Sequence, residues 1–216
     1  MAIPTSRKKR ASEKTDLTKK TNNALIVFLK KPEAGKVKTR IGKVLGHEKA
    51  VEIYRKLLSK TMQTVSQLAA EKLLFFDPHP FRLPEWPEQS VSEHRQEGAN
   101  LGDRMFHSFE VALQDADRAV IVGTDCPYLT SSLIEDAFDQ LSSHDFVFGP
   151  SPDGGYYLLG MKEPTSEVFE DIPWSTDQVS RLTIERIHAL GKTWFELPTL
   201  TDIDHAEDWE AYEKSI

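Results

Sequence analysis

An α/β layer fold with a largely parallel sheet is what this sequence predicts. Short β-branched and apolar runs alternate with longer stretches whose apolar residues recur at helical spacing. The length, 216 residues, is that of one domain. Two apolar runs flanking 149–155 are joined too tightly for a crossover helix, so one member of the sheet is expected to run antiparallel.

The elements follow in chain order. Residues 24–29 form a short apolar run with the pattern of a buried strand. Across 48–70, Val51, Tyr54, Leu57, Leu58, Met62, Val65 and Leu68 mark one helical face. Residues 72–76 read as a second strand stopped by Asp77-Pro78, 78–87 as a proline-rich surface loop, and 91–96 as a third strand. A helix is expected over 102–113, with Met105, Phe106, Phe109 and Leu113 on one side, then a strand over 119–122. The next helix, 130–141, has a Thr or Ser cap and turns Leu133, Ile134, Ala137, Phe138 and Leu141 inward. Strands at 146–148 and 156–159 precede a helix at 176–190, capped by Thr176 and ended by Gly191. A strand at 193–197 and a helix from Glu207 complete the chain. In such sheets ligands gather at the carboxyl ends of the strands, so chemistry is sought there.

Charge is unevenly spread. Residues 1–20 hold seven cations against Glu13 and Asp16, a formal +5, which leaves −12 for the rest of a chain of net charge −7. With few apolar residues, 1–22 reads as a disordered basic arm and 23–216 as the folded domain. Such an arm can touch nucleic acid or an anionic membrane, but a solvated extension is the commoner use, and an acidic body argues against nucleic acid as the partner. No run of 18 apolar residues suggests a membrane span. No apolar segment follows the N-terminal charges as in a signal peptide, so a cytoplasmic protein is the default expectation. The single Cys126 excludes an internal disulfide and a multi-cysteine zinc site.

Several segments at expected strand ends carry chemistry. After the first strand come Gly35, Lys36, Lys38 and Arg40. In an extended segment the three cations share a side, suited to a di- or triphosphate; the alternative is a solvated basic loop. The 119–122 strand runs into Gly123-Thr124-Asp125-Cys126-Pro127, where Asp125 is either a Mg²⁺ or Mn²⁺ ligand beside phosphate or a turn cap. Asp202 and Asp204 share a face if extended; one could complete the metal site, while Asp204 is also placed to cap the last helix. Asp153-Gly154-Gly155-Tyr156 signals a hairpin turn, with Asp153 also a candidate base or hydroxyl-binding carboxylate. Gly98, Asn100, Leu101 and Gly102 open a helix with amides that suit a base or phosphate. Trp174 is a stacking surface or, more commonly for such a residue, a core aromatic.

Together these segments resemble the GT-A-like glycosyltransferase family of the nucleotide-diphospho-sugar transferase superfamily, the radical-SAM and selenodomain-associated transferase type. The resemblance rests on Phe28 with 31–40, 98–105, 123–127, Gly149-Pro150 with 153–156, 174–176, and Asp202-Ile203-Asp204 with Glu207-Asp208. It spans about 23–209, in order, and leaves out the basic arm.

The resemblance implies a single GT-A-like, Rossmann-like three-layer domain that binds a nucleotide or nucleotide sugar with Mg²⁺ or Mn²⁺ and acts on a small-molecule acceptor. Lys36, Lys38 and Arg40 would hold phosphate, and residues 98–102 would lie near base or ribose. Asp125 and Asp204 would hold metal, with Asp202 the other candidate. Asp153, Gly154, Gly155, Tyr156 and Trp174 would face the acceptor. One departure stands out: the Asp-x-Asp usual in GT-A glycosyltransferases reads Gly123-Thr124-Asp125 here. Asp125-Cys126-Pro127-Tyr128-Leu129 is similar instead to the Asp-x-Pro-x-Leu of related nucleotidyltransferases, and Lys38-Thr39-Arg40 to their guanylyl-transferring branch. Sugar transfer is the leading expectation, nucleotidyl transfer with pyrophosphate release the second, and a non-catalytic nucleotide-binding module the third. Oligomeric state is left open.

Overall fold

The computed structural model describes residues 22–82 and 91–216. The basic arm expected over 1–22 lies outside the described residues except for Asn22, and so does part of the 78–87 loop.

Among the described residues, one seven-stranded sheet has the order β3-β2-β1-β4-β6-β5-β7. Its strands are β1 (Asn23–Lys30), β2 (Glu71–Asp77), β3 (Val91–Arg95), β4 (Arg118–Val122), β5 (Phe146–Pro150), β6 (Tyr156–Met161) and β7 (Trp194–Glu196). All pair in parallel except β6, which runs antiparallel between β4 and β5. The helices are α1 (Thr39–Leu45), α2 (His47–Ser66), α3 (Leu101–Ala112), α4 (Ser131–Gln140), α5 (Val179–Ala189) and α6 (Ala206–Glu213), with a 3-10 turn at Ser166–Phe169.

Alternation along β1 explains the layers. Leu25, Val27 and Leu29 pack with α2 and α4 through Leu58, Met62, Ile134 and Phe138. Ala24 and Ile26 pack on the opposite face with Met105 and Phe109 of α3 and Ile187 of α5. A strand covered on both faces needs apolar residues at successive positions, which is why β1 reads as an unbroken run. A smaller cluster joins α1, α2 and α6 through Ile41, Ile53, Leu57, Ile203 and Trp209.

The crossovers from β1 and from β3 leave β1 on opposite sides, so the order reverses between β1 and β4. That reversal opens a crevice at the carboxyl ends of these two strands.

Two expectations need correction. The segment after β1 is not extended: Lys36 N–H donates to the Glu33 carbonyl in a turn, Lys38 takes a left-handed conformation, and α1 starts at Thr39. Seven residues with a single buried apolar side chain, Ile41, give too little periodicity to announce a helix. The second correction moves the start of α5 to Val179. The Thr176 hydroxyl serves a turn instead, donating to the Pro173 carbonyl and accepting from Gln178 N–H. The start of α5 is tied down from elsewhere, by Ser180 N–H donating to the Gly154 carbonyl at 2.8 Å.

Candidate functional site

At the crevice three segments distant in sequence meet. Lys38 Nζ lies 2.7 Å from Asp125 Oδ1 and 3.2 Å from Asp204 Oδ1, and Arg40 Nη1 lies 3.3 Å from Asp204 Oδ2. The Lys38 side chain is 4% exposed, whereas those of Asp125 and Asp204 are 45% and 39% exposed. The ammonium therefore sits behind carboxylates that open to solvent. Burial works to lower the Lys38 pKa, but Asp125 and Asp204 outweigh it and hold the ammonium above its ordinary value.

Local structure sets each acid. Asp125 is the third residue after β4, and its carbonyl accepts from Ile203 N–H at 2.9 Å. Ile203 is fully buried in the α1–α2–α6 cluster. With Ile203 turned inward, extended alternation sends Asp202 and Asp204 the other way. The Asp208 carboxylate accepts from the N–H groups of Asp204 and His205 and so holds the start of α6. Asp204 is thus an ion-pairing residue and does not supply that cap. Asp202 is pushed up to about 7, first by burial and then by the Asp125 charge; Lys38 opposes, and Asp204 and Asp153 add. The Cys126 thiol is pushed up to about 12 by burial and behaves as a packed residue.

Tyr54 is the contributor that sequence reasoning missed, because its spacing marked it as one more core residue of α2. Its hydroxyl accepts from Lys30 N–H at 2.8 Å and lies 3.2 Å from Thr124 Oγ1. It ties the end of β1 to the residue before Asp125. Burial pushes its pKa to about 12, so the hydroxyl stays neutral.

The other expected residues divide. Lys36 does not join the acids: its ammonium pairs with Glu33 at 2.6 Å. Glu33 also binds Lys31, and these hydrogen-bonded lysines hold its carboxyl down at about 2. Lys36 lines a recess of about 220 Å³ with Lys30, Lys31, Glu33, Asp77 and Pro78, at the ends of β1 and β2. Gly35 belongs to the turn before it.

The 98–102 loop is bound up in its own geometry. Asn100 Oδ1 accepts from Asp103 N–H, Asp103 Oδ2 accepts from Ala99 N–H, and Arg104 bridges Gly98 O and Asp77. A Cβ on Gly102 would come within 2.6 Å of the Trp174 ring, so this glycine allows helix and indole to touch. Leu101 is 42% exposed at the start of α3.

Tyr156 packs edge-on against Phe148 and points its hydroxyl at Met105. Like Trp174, it serves the α3 face of the core. Gly154 has φ 83°, and a Cβ there would collide with the Asp177 backbone. Asp153 Oδ1 accepts from Ser151 Oγ at 2.5 Å and from Gly155 N–H at 3.0 Å, closing the turn. The turn lies at the β5–β6 end, on the same sheet edge as Asp125, because β6 runs antiparallel.

Among the described residues no helix is long and apolar enough to cross a membrane. None of the curated proteins compared matches this chain. Among solved structures, one described as a "putative nucleotide-diphospho-sugar transferase" from Desulfovibrio desulfuricans G20 is 32% identical, with TM-score 0.83, over 91% of this chain and 88% of that one. Two more distant structures show the shared fold at 12% identity. They are 4-diphosphocytidyl-2C-methyl-D-erythritol synthase from Anaerococcus prevotii DSM 20548 (TM-score 0.57, 90% and 99% covered) and Rv0371C from Mycobacterium tuberculosis H37Rv in complex with manganese (TM-score 0.56, 91% and 100% covered). The fold is therefore GT-A-like, as the sequence motifs implied. Residues 60–176 match a family model, and on that match this chain belongs to the family described as "Uncharacterized protein conserved in bacteria (DUF2064)".

Proposed function

We propose that this chain is a transferase acting on a nucleoside-diphosphate sugar, moving the sugar to a small hydroxyl-bearing acceptor with Mg²⁺ or Mn²⁺. The observation that carries the reading is the meeting of Lys38, Arg40, Asp125 and Asp204 at the reversal of strand order. The likeness to the 32% identical Desulfovibrio desulfuricans G20 structure, described as a nucleotide-diphospho-sugar transferase, supports it.

The donor set fits a divalent metal. Lys38 and Arg40 pair with Asp125 and Asp204, while burial and then the Asp125 charge lift the nearby Asp202 to about 7, with smaller additions from Asp204 and Asp153. Among the described residues no three His, Cys, Asp or Glu side chains form a closed cage. Mg²⁺ takes one or two carboxylates and fills its remaining positions with phosphate oxygens and water, and Asp125 and Asp204 supply that pair. When bound, the ion offsets charge on the departing diphosphate.

The chain's own groups do the rest. Arg40 grips phosphate oxygens from the half-exposed side, Lys38 from behind the acids. The 98–102 loop and the adjoining recess receive the nucleoside. Tyr156 and Trp174 are engaged in packing, so the acceptor meets the turn at Asp153. The acceptor oxygen bonds to the anomeric carbon as the bond to the diphosphate breaks, and Asp153 takes the acceptor proton.

A specific feature favours nucleotidyl transfer as a second reading. Gly123 stands where a GT-A Asp-x-Asp has its first acid, and among the described residues nothing lies within 4 Å of where its Cβ would be. That leaves room beside Asp125 for a third phosphate. Product analysis separates the two: release of UDP or GDP from nucleotide sugars supports sugar transfer, and pyrophosphate from a nucleoside triphosphate supports the other. In either assay Asp125→Asn is expected to lower turnover about 100-fold or more while the folded circular dichroism spectrum persists. Turnover within a few-fold of wild type overturns both.

A further inference from the structure

Lys38 has an arrangement that phosphate binding alone does not require. Its backbone stands at φ 44° and ψ 48°, a left-handed conformation that a residue with a Cβ adopts only at a steric cost. Its carbonyl accepts from Gly42 N–H at 2.8 Å as α1 begins, so the strained residue is anchored from the helix side. This conformation carries a buried ammonium to the inner oxygens of Asp125 and Asp204. Arg40 takes the other oxygen of Asp204. Both oxygens of that carboxylate are thus committed to protein cations.

We infer that Lys38 is a built-in counter-cation that holds Asp125 and Asp204 closed to free divalent metal until a phosphate-bearing ligand draws it away. The inference rests on the transferase reading and goes beyond it, because it assigns an order of loading. A free divalent ion must displace an ammonium already paired with two carboxylates. A diphosphate offers Lys38 and Arg40 replacement oxygens, and the acids are then released to the metal. Metal and nucleotide favour the same rearranged state, so each strengthens the binding of the other by an equal factor. Nucleotide-free protein then does not fill with metal, and no site is spent on an unproductive ion.

The test uses the full chain, freed of metal with a chelator, and Mn²⁺ alone as the probe. Free Mn²⁺ is followed by electron paramagnetic resonance. Lys38→Met is expected to bind Mn²⁺ about tenfold or more tightly than wild type, the scale of an ordinary coupling between sites. Adding Asp204→Asn to that variant is expected to remove the gain. Equal Mn²⁺ affinity in wild type and folded Lys38→Met overturns the inference.

If Lys38→Met does not fold, wild type decides through the Nζ resonance of Lys38 in ¹⁵N-labelled protein, assigned with Lys38→Arg. The resonance is expected to stay put with Mg²⁺ alone and to move when UDP or GDP is added with Mg²⁺. Movement with Mg²⁺ alone, or none under either condition, overturns it. A nucleotide-induced rise in melting temperature that needs Mn²⁺, with unchanged Mn²⁺ affinity in Lys38→Met, sinks the role of Lys38 and leaves the transferase reading standing. Loss of that rise counts against both.

Discussion

Tyr54 shows how one hydroxyl can set a site. By accepting from Lys30 N–H and meeting Thr124, it holds the ends of β1 and β4 in register just where Lys38 and Asp125 must approach. Tyr54→Phe leaves a backbone donor without its acceptor and is expected to cost about 1–3 kcal/mol in urea unfolding. Asp202 gives a prediction about pH. Its ordinary pKa is 3.8, and burial with the Asp125 charge pushes it up to about 7, so the folded state favours the neutral carboxyl. Its contribution to stability is fully present below about pH 4 and is lost as pH rises through about 7. In chelator-treated protein, Asp202→Asn is expected to flatten the fall in urea midpoint across that window. A midpoint that falls as steeply in the variant removes Asp202 as the cause.

Among elements, the β5–β6 turn does more than reverse the chain. Gly154 accepts the Ser180 N–H at the start of α5, and the Ser180 hydroxyl donates to the Gly155 carbonyl. The turn thereby supplies from a distance what a local cap supplies elsewhere, as Thr130 does for α4. Two glycine substitutions separate conformation from collision. Gly46 and Gly154 both have positive φ, but among the described residues a Cβ on Gly46 meets nothing within 4 Å and one on Gly154 runs into the Asp177 backbone. Gly46, at φ 90° and ψ 148°, sits in an extended positive-φ region open almost only to glycine, and Gly46→Ala is expected to cost about 1–3 kcal/mol for conformation alone. Gly154→Ala adds a steric cost of about 1–3 kcal/mol on top. Urea unfolding of the two variants checks the difference, and equal losses would mean that α5 yields freely to the turn. The same comparison explains α1: a short helix between Lys38 and Gly46 is held by what it packs on, chiefly through Ile41.

For the molecule as a whole, the strand order 3-2-1-4 places the loops after β1 and β4 on either side of one crevice, and the antiparallel β6 brings the Asp153 turn to the same edge. A ligand held there stabilises the folded state by mass action, about 2.7 kcal/mol at a hundred times its dissociation constant. A thermal-shift panel of nucleotides and nucleotide sugars is expected to show a rise that grows with Mn²⁺, and Asp204→Asn is expected to lose only the metal-dependent part. A shift indifferent to Mn²⁺ would argue for nucleotide binding without the metal. The layered fold, the long helix α2, the buried strand β1 and the hairpin at Asp153 were legible in sequence, because each follows from periodicity or turn chemistry within one short window. So were the acids at strand ends, since buried strands must deliver their next residues to the sheet edge. Which cation joins those acids was not legible. Lys36, Lys38 and Arg40 look equivalent in a row, yet the turn at Glu33, the left-handed Lys38 and the start of α1 send Lys36 to Glu33 and bury Lys38 between Asp125 and Asp204. The placement of β6 between β4 and β5 and the bond from Tyr54 to Thr124 depended equally on packing. Sequence determined the kinds of element and the chemistry at their ends; tertiary structure decided which ends met, because contacts between residues 70 or 166 positions apart are fixed by burial and charge pairing across the whole sheet and not by any local preference.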